Sequence, residues 1–384
     1  MDVIKDLPEI FNDFAEARQN AFLAAKEQKE DGRPLIGQFC TFMPHELAIA
    51  MDAATVSLCS TSDETIIDAE QELPKNLCPL IKSSYGFGKT DKCPFFHFSD
   101  LVVGESTCDG KKKMYEIMKE FKPMYVMQLP NNPTGEDSLA LWKAEIIKFK
   151  EFLEEFFKVE ITEDKIREAI KIRNEERQAL KDLFAVQKQD PPMATGYDIF
   201  KVLYGTQFKF HKEDSIKNLK EAVERIKEEY KDEAKRLPKK HRILLTGCPI
   251  GGVTEKVIEA IENNGAYIVY YENCTGGKAI EELVDENNPD VYDAMARKYI
   301  NIGCSVMSPN PRRHEHIKQI IKEYKVDGVV DMILSACHTY NVETYAIKKT
   351  STEAGVPYIA VETDYSTSDS GQLNTRIAAF LEML

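Results

Sequence analysis

A chain of 384 residues is too long for one ordinary hydrophobic core and points to two compact domains. With 43% apolar and 30% charged residues it reads as a soluble globular protein, and its formal charge of −14 argues against nucleic acid as a partner. No apolar run approaches the roughly 20 residues that span a bilayer, and the opening MDVIKDLPEI lacks the basic-then-apolar pattern of a secretory signal. The expected location is the cytoplasm, with no membrane partner.

Residues from about Leu7 to Glu30 predict a helix, followed by a short strand at PLIGQF (Pro34 to Phe39) and a helix start over Pro44 to Met51. ATVSL (Ala54 to Leu58), SDLVVG (Ser99 to Gly104) and PMYVMQL (Pro123 to Leu129) are further strands. Short apolar runs bounded by Gly, Pro and polar clusters are the pattern of buried parallel strands. From about Ser138 to Leu237 the spacing is helical, predicting three or four helices interrupted around Pro191, Pro192 and Gly196. From His241 the alternation returns: RILLTG, AYIVYY, DGVVDMIL and PYIAVET as strands, with helical stretches beginning near Gly252, Arg312, Asn341 and Leu373. The rhythm predicts an α/β fold with doubly wound parallel sheets at both ends, two rough echoes of each other. The corresponding division is 1–137 (N-terminal α/β domain), 138–240 (helical connecting section) and 241–384 (C-terminal α/β domain).

Nine cysteines in a reducing compartment, with no CxxC pair, exclude a disulfide framework, zinc ribbons, thioredoxin-type motifs and ferredoxin-type runs. Six of them fall at or just after the carboxyl end of an expected strand. Cys40 follows PLIGQF, Cys108 follows SDLVVGEST, Cys248 follows RILLTG, Cys274 follows AYIVYYEN, Cys304 follows INIG, and Cys337 follows DGVVDMILSA. In open parallel sheets that edge binds ligands, so thiols from two facing sheets can converge on one centre. Cys78, before Pro79 at an expected helix start, is a seventh contributor. Thiolate sulfur suits iron–sulfur clusters, Cu(I) and zinc. Neighbouring Gly247, Gly276, Gly277, Gly303 and Gly110 allow the backbone to approach a bulky inorganic core. Cys59, inside the VSLCS strand, and Cys93, in KCPFFHF, are read instead as small buried hydrophobes.

GFGKT (Gly86 to Thr90) imitates the end of a phosphate-binding loop, yet Ser83 stands where the loop needs glycine and no strand leads into it. TGCPIGG (Thr246 to Gly252) joins a strand to a helix and either holds an anion on its amides or simply packs the helix. His45, Glu46 and His338 lie beside cysteines and are candidate proton carriers, with Glu46 alternatively a carboxylate at a helix N-terminus. Asp109 is expected to cap the helix after Cys108, and Lys111, Lys112 and Lys113 to form a solvated helix face.

CTFMPHE, NLCPLIKSSYGFGKTDKCP, CDGKKKMYE, TGCPIGG, ENCTGGK, ACHTY and the tail from Glu362 together resemble the 2-hydroxyacyl-CoA dehydratase and benzoyl-CoA reductase superfamily, and within it the double-cubane cluster protein branch. The resemblance runs nearly end to end. It implies two Rossmann-like domains with a helical section, a homodimer, and electrons delivered by a separate ATP-hydrolysing iron–sulfur reductase, in keeping with the missing phosphate loop. Dehydratases of the superfamily hold one [4Fe–4S] cluster on three cysteines; the double-cubane branch holds an [8Fe–9S] cluster on six. Carried onto this chain, the resemblance implies Cys40, Cys78, Cys108, Cys274, Cys304 and Cys337 as ligands, with Cys248 in reserve. Cys274 replaces a stretch that is cysteine-free in the acyl-CoA dehydratases, which favours the double-cubane branch.

Three functions follow as expectations. The first is an iron–sulfur reductase that passes a low-potential electron to a small, hard-to-reduce molecule, with His45, Glu46 or His338 supplying protons and Gly247 and Gly276 accommodating the cluster. The second is an (R)-2-hydroxyacyl-CoA dehydratase subunit with a single [4Fe–4S] cluster. The third is a non-catalytic electron carrier.

Overall fold

The computed structural model describes residues 9–384, with side chains from Asn20 onward. The first helix runs Glu9–Glu30, and the expected start at Leu7 lies outside the described residues. Eight of the expected strands form: β1 (Leu35–Gln38), β2 (Ala54–Ser57), β3 (Leu101–Glu105), β4 (Met124–Met127), β5 (His241–Gly247), β6 (Ala266–Glu272), β7 (Gly328–Leu334) and β8 (Tyr358–Thr363). They make two four-stranded sheets, ordered β2-β1-β3-β4 and β6-β5-β7-β8, in which every neighbouring pair is parallel. The second sheet therefore repeats the winding of the first.

In each sheet the chain moves outward one way from the first strand and then returns to its other side. The order thus reverses between β1 and β3, and again between β5 and β7. Connections that leave in opposite directions open a crevice at the carboxyl ends of such strand pairs. β1, β3, β5, β6 and β7 are buried along almost their whole length, which is why they read as continuous apolar runs.

Four long helices fill the middle: Glu136–Phe157, Glu163–Ala185, Gly196–Thr206 and Lys212–Tyr230. Thr162 and Thr195 start the second and third by accepting hydrogen bonds from the amides of Lys165 and Asp198. One apolar core runs through both sheets, joining Leu35, Val56 and Val102 to Ile243, Ile268 and Val330. A second lies on the opposite face of the first sheet and takes in the 284–307 segment. That segment departs from expectation. INIG is no strand: Val291–Ile300 is a helix capped by Asp290, and Cys304 follows it in a loop.

Contacts between the two halves are close. The TGCPIGG turn packs on residues 60–62: the Val253 amide donates to the Thr61 carbonyl, and any Cβ at Gly252 (φ 54°) would strike Thr61. Tyr365 Oη donates to the Ser60 carbonyl at 2.8 Å, and the Ser308 amide to the Asn131 carbonyl at 2.7 Å.

Candidate functional site

The two crevices open onto one cavity of about 340 Å³, and eight of the nine cysteines line it. Four come from each half: Cys40, Cys59, Cys78 and Cys108, then Cys248, Cys274, Cys304 and Cys337. Cys40 and Cys108 follow the switch-point strands β1 and β3, and Cys248 and Cys337 follow β5 and β7. Cys78, Cys108 and Cys337 are the N-cap residues of helices Pro79–Lys89, Asp109–Met118 and His338–Glu353. A helix N-terminus favours a thiolate over a thiol. Cys40 and Ala336, both on the cavity wall, are held at φ 59° and 56°, a left-handed conformation that costs a non-glycine residue about 1–3 kcal/mol.

The thiols fall into two neighbourhoods. Hydrogen bonds from Cys248 and Cys78 push the Cys337 thiol down, and the same contacts help to push Cys78 and Cys248 up. Across the cavity, Lys111 Nζ lies 3.2 Å from Cys40 Sγ and 3.5 Å from Cys59 Sγ. Burial would lower the lysine, but the charges of Cys40 and Cys59 outweigh it and hold Lys111 well above its ordinary value. Burial pushes Cys40 and Cys108 up, and Cys274 to about 12, with Lys111 opposing the rise in each case. Tyr340 also faces the cavity, and its Oη accepts from Lys278 Nζ at 3.0 Å.

A third part of the wall is cationic. Arg173, Lys212 and Lys298 line it beside Glu176, His45 and Tyr299. Burial, then the charges of Arg173, Lys212 and Arg177, push His45 well below its usual range, so its imidazole is neutral at pH 7; Nδ1 lies 3.2 Å from Thr55 Oγ1.

The expected residues distribute unevenly. Cys40, Cys78, Cys108, Cys274, Cys304, Cys337 and the reserve Cys248 share the cavity, with His45, His338 and Gly276. Glu46 does not reach it. Fully buried, it pairs with Arg177 Nη2 at 2.7 Å and accepts from Tyr299 Oη at 2.8 Å, a structural use that displaces the proton-carrier expectation. Gly247 is also off the wall. Its φ of 106° and the approach of Asp331 Oδ1 to within 2.6 Å of any Cβ show that β7, rather than a bound group, demands the glycine.

Cys59 packs against the apolar core, as a small hydrophobe would, but its expected place inside a strand is corrected. β2 ends at Ser57, so Cys59 sits past the strand, at the edge that its neighbours share. Lys111 was misjudged: it is 6% exposed, while Lys112 and Lys113 are solvated and pair with Asp109 and Glu116. Asp109 is the first helical residue and exposed, since Cys108 holds the cap position. Cys93 stays outside the cavity and caps the short helix Pro94–Phe98. GFGKT lies on the end of the helix Pro79–Lys89, with Lys89 paired to Glu72, so it is no phosphate loop.

Among the described residues, no three His, Cys, Asp or Glu side chains are arranged to hold a single metal ion. Eight thiols spread around one cavity fit a larger, multinuclear thiolate-bound group, and soft sulfur donors suit iron–sulfur chemistry.

Residues 40–384 match the family model described as 2-hydroxyglutaryl-CoA dehydratase, D-component. The chain belongs to the 2-hydroxyacyl-CoA dehydratase and benzoyl-CoA reductase superfamily. It is 58% identical to the protein YjiM of Escherichia coli (strain K12) over the whole of both chains. It is 25% identical to the (R)-phenyllactyl-CoA dehydratase beta subunit of Clostridium sporogenes, covering 97% of this chain and 98% of the relative. To a benzoyl-CoA reductase subunit of Thauera aromatica it is 20% identical, over 92% and 91%.

Proposed function

We propose that the chain is an iron–sulfur redox enzyme of the cytoplasm, working as a homodimer. It would carry an [8Fe–9S] double-cubane cluster, charged by a separate ATP-hydrolysing iron–sulfur reductase, and reduce a small, hard-to-reduce molecule. The observation that carries this reading is the convergence of eight cysteines, four from each half, on one cavity. Cys40, Cys78, Cys108, Cys274, Cys304 and Cys337 would hold the cluster; Cys248 and Cys59 line the same cavity. When bound, such a cluster supplies low-potential electrons one at a time.

The chain's own residues do the rest. Lys111 and the helix N-termini at Cys78, Cys108 and Cys337 stabilise the negative charge that thiolates bring into a buried space. Tyr340, whose oxygen accepts from Lys278, and His338 stand on the wall as proton carriers. His45, neutral at pH 7, serves as an acceptor or orienting group. About 340 Å³ is at the small end of the roughly 300–1,000 Å³ typical of ligand pockets, and a cluster on these cysteines would fill part of it, which leaves room for a small substrate alone.

Iron and sulfide analysis of anaerobically purified protein tests the proposal, with about eight irons per chain expected. Cys274→Ser should lower the iron content and abolish reduction of any acceptor; unchanged iron would remove Cys274 from the ligand set. The second reading, an (R)-2-hydroxyacyl-CoA dehydratase subunit, draws support from relatives named as dehydratase subunits. It predicts about four irons per chain and a hetero-partner. Reduction of the cluster by the reductase with no turnover of any acceptor would leave the electron carrier instead.

A further inference from the structure

The cationic part of the cavity wall gathers more basic side chains than carboxylates. Three buried basic residues, Arg173, Arg177 and Lys298, and the half-buried Lys212 share two carboxylates. Glu176 spends its oxygens on Arg173 Nη1 and on Lys212 Nζ, the latter at 3.1 Å. Glu46 is taken by Arg177 and Tyr299. Lys298, 4% exposed, donates to the Ala279 carbonyl at 2.9 Å and lies 4.0 Å from the centre of the Tyr299 ring; burial, then the charge of Arg177, pulls its ammonium well below the ordinary value, and among the described residues no carboxylate is in ion-pair contact with it. Glu282, the next acid nearby, is committed to Arg312. Arg173, 9% exposed, keeps a buried Nε with no acceptor. A buried lysine without a counter-charge tends to give up its proton, and an anion placed beside it would restore the charged form.

These cations are also separate from the ones that serve the thiols. The positive charges acting most on Cys40, Cys108 and Cys274 are Lys111 and Lys278, with none from this set among them. Both regions nevertheless open on the same cavity.

We infer that Arg173 and Lys298, assisted by Lys212, form a subsite for the carboxylate of a small organic acid, placed so that the rest of the molecule extends toward the thiol-lined wall. Arg173 Nη1 is taken by Glu176 and its Nε is buried out of solvent reach, which leaves Nη2 as the donor available to a carboxylate. The assignment rests on the redox reading for the role of the site and defines the substrate class as anionic.

The test is titration of acetate, acetamide and inorganic phosphate into purified protein, with and without iron, followed by calorimetry and thermal unfolding. Acetate should bind saturably and raise the unfolding midpoint, and the isosteric neutral acetamide should do neither. Lys298→Met and Arg173→Gln should each weaken acetate about ten-fold or more, with iron content unchanged. Arg173→Lys keeps the charge and should retain part of the affinity. Equal effects of acetate and acetamide would overturn the subsite, and phosphate binding where acetate does not would overturn the carboxylate. Variants that lose iron would return these cations to the service of the thiols. A protein without iron that binds acetate defeats only the redox reading; one with iron that ignores acetate defeats only the subsite.

Discussion

Lys111, Lys112 and Lys113 are chemically identical neighbours with opposite fates, decided by where one helical turn points them. Lys111 lies in the first turn of the helix that Cys108 caps, so its side chain runs back over the cap into the cavity and reaches Cys40 and Cys59. Its charge holds the Cys40 thiol below the value that burial alone would set. In metal-free protein, Lys111→Met should therefore slow alkylation of Cys40 at pH 8, about ten-fold for each unit that the thiol rises. Lys112→Met and Lys113→Met should leave the rate unchanged, as peptide-resolved labelling would show. Sequence reading missed this lysine because charge runs are usually solvated, and a periodicity argument cannot see that a cavity lies above the helix N-terminus. It misplaced Cys59 for a smaller reason, the exact end of a strand. Glu46 stands in the first turn of a helix, as its alternative reading had it, but its buried partner Arg177 lies 131 positions along the chain, beyond any local pattern.

At the scale of elements, the helix Glu163–Ala185 binds the charged wall to the rest of the fold. Its buried face carries Ile166, Ala169 and Ile170 at one end, and then Arg173, Glu176 and Arg177. Burial alone would raise Glu176, but the charges of Arg173 and Lys212 prevail and hold its carboxyl near 2. A folded-state value below the ordinary 4.5 means stability that is present above pH 4.5 and lost as pH falls toward 2. The loss is on the order of 3 kcal/mol. Glu176→Gln should flatten that acid limb and lower the plateau by about 3–5 kcal/mol, since a buried and a half-buried cation lose their counter-charge. Urea unfolding at a series of pH values measures both effects. The helix Pro79–Lys89 gives a contrasting case. Gly86 packs directly on Thr65, so Gly86→Ala should destabilise the fold by about 1–3 kcal/mol, whereas Lys89→Ala should change stability by less than about 1 kcal/mol and ATP should bind neither variant nor parent. Elements of this kind were legible in the sequence where flanking punctuation was strong: every strand was found because Gly, Pro and polar residues bracket it. INIG was misread because four residues cannot distinguish an apolar strand from a helix end and the loop after it.

At the scale of the whole molecule, the cavity exists only because two sheets of the same winding face each other. Neither half supplies more than four of its thiols. Sheet topology follows from strand order, which sequence rhythm reveals, but the mutual orientation of the sheets depends on contacts such as Gly252 against Thr61 and Tyr365 against Ser60. Those are long-range fits that no local pattern encodes. The common core through both sheets gives each half its own hydrogen-bonded interior and one shared apolar seam. Removing a group that bridges thiols from both halves should therefore loosen the rim of the cavity and leave the strands intact. Hydrogen exchange before and after anaerobic chelation should show faster exchange around residues 40–41, 59–61, 107–110, 248–252, 274–277 and 335–338. β1, β3, β5 and β7 should keep their protection, because their ladders close without the thiols. Exchange that accelerates across one entire sheet would mean that the bound group supports that half alone; unchanged rims would mean that it does not bridge the two halves at all.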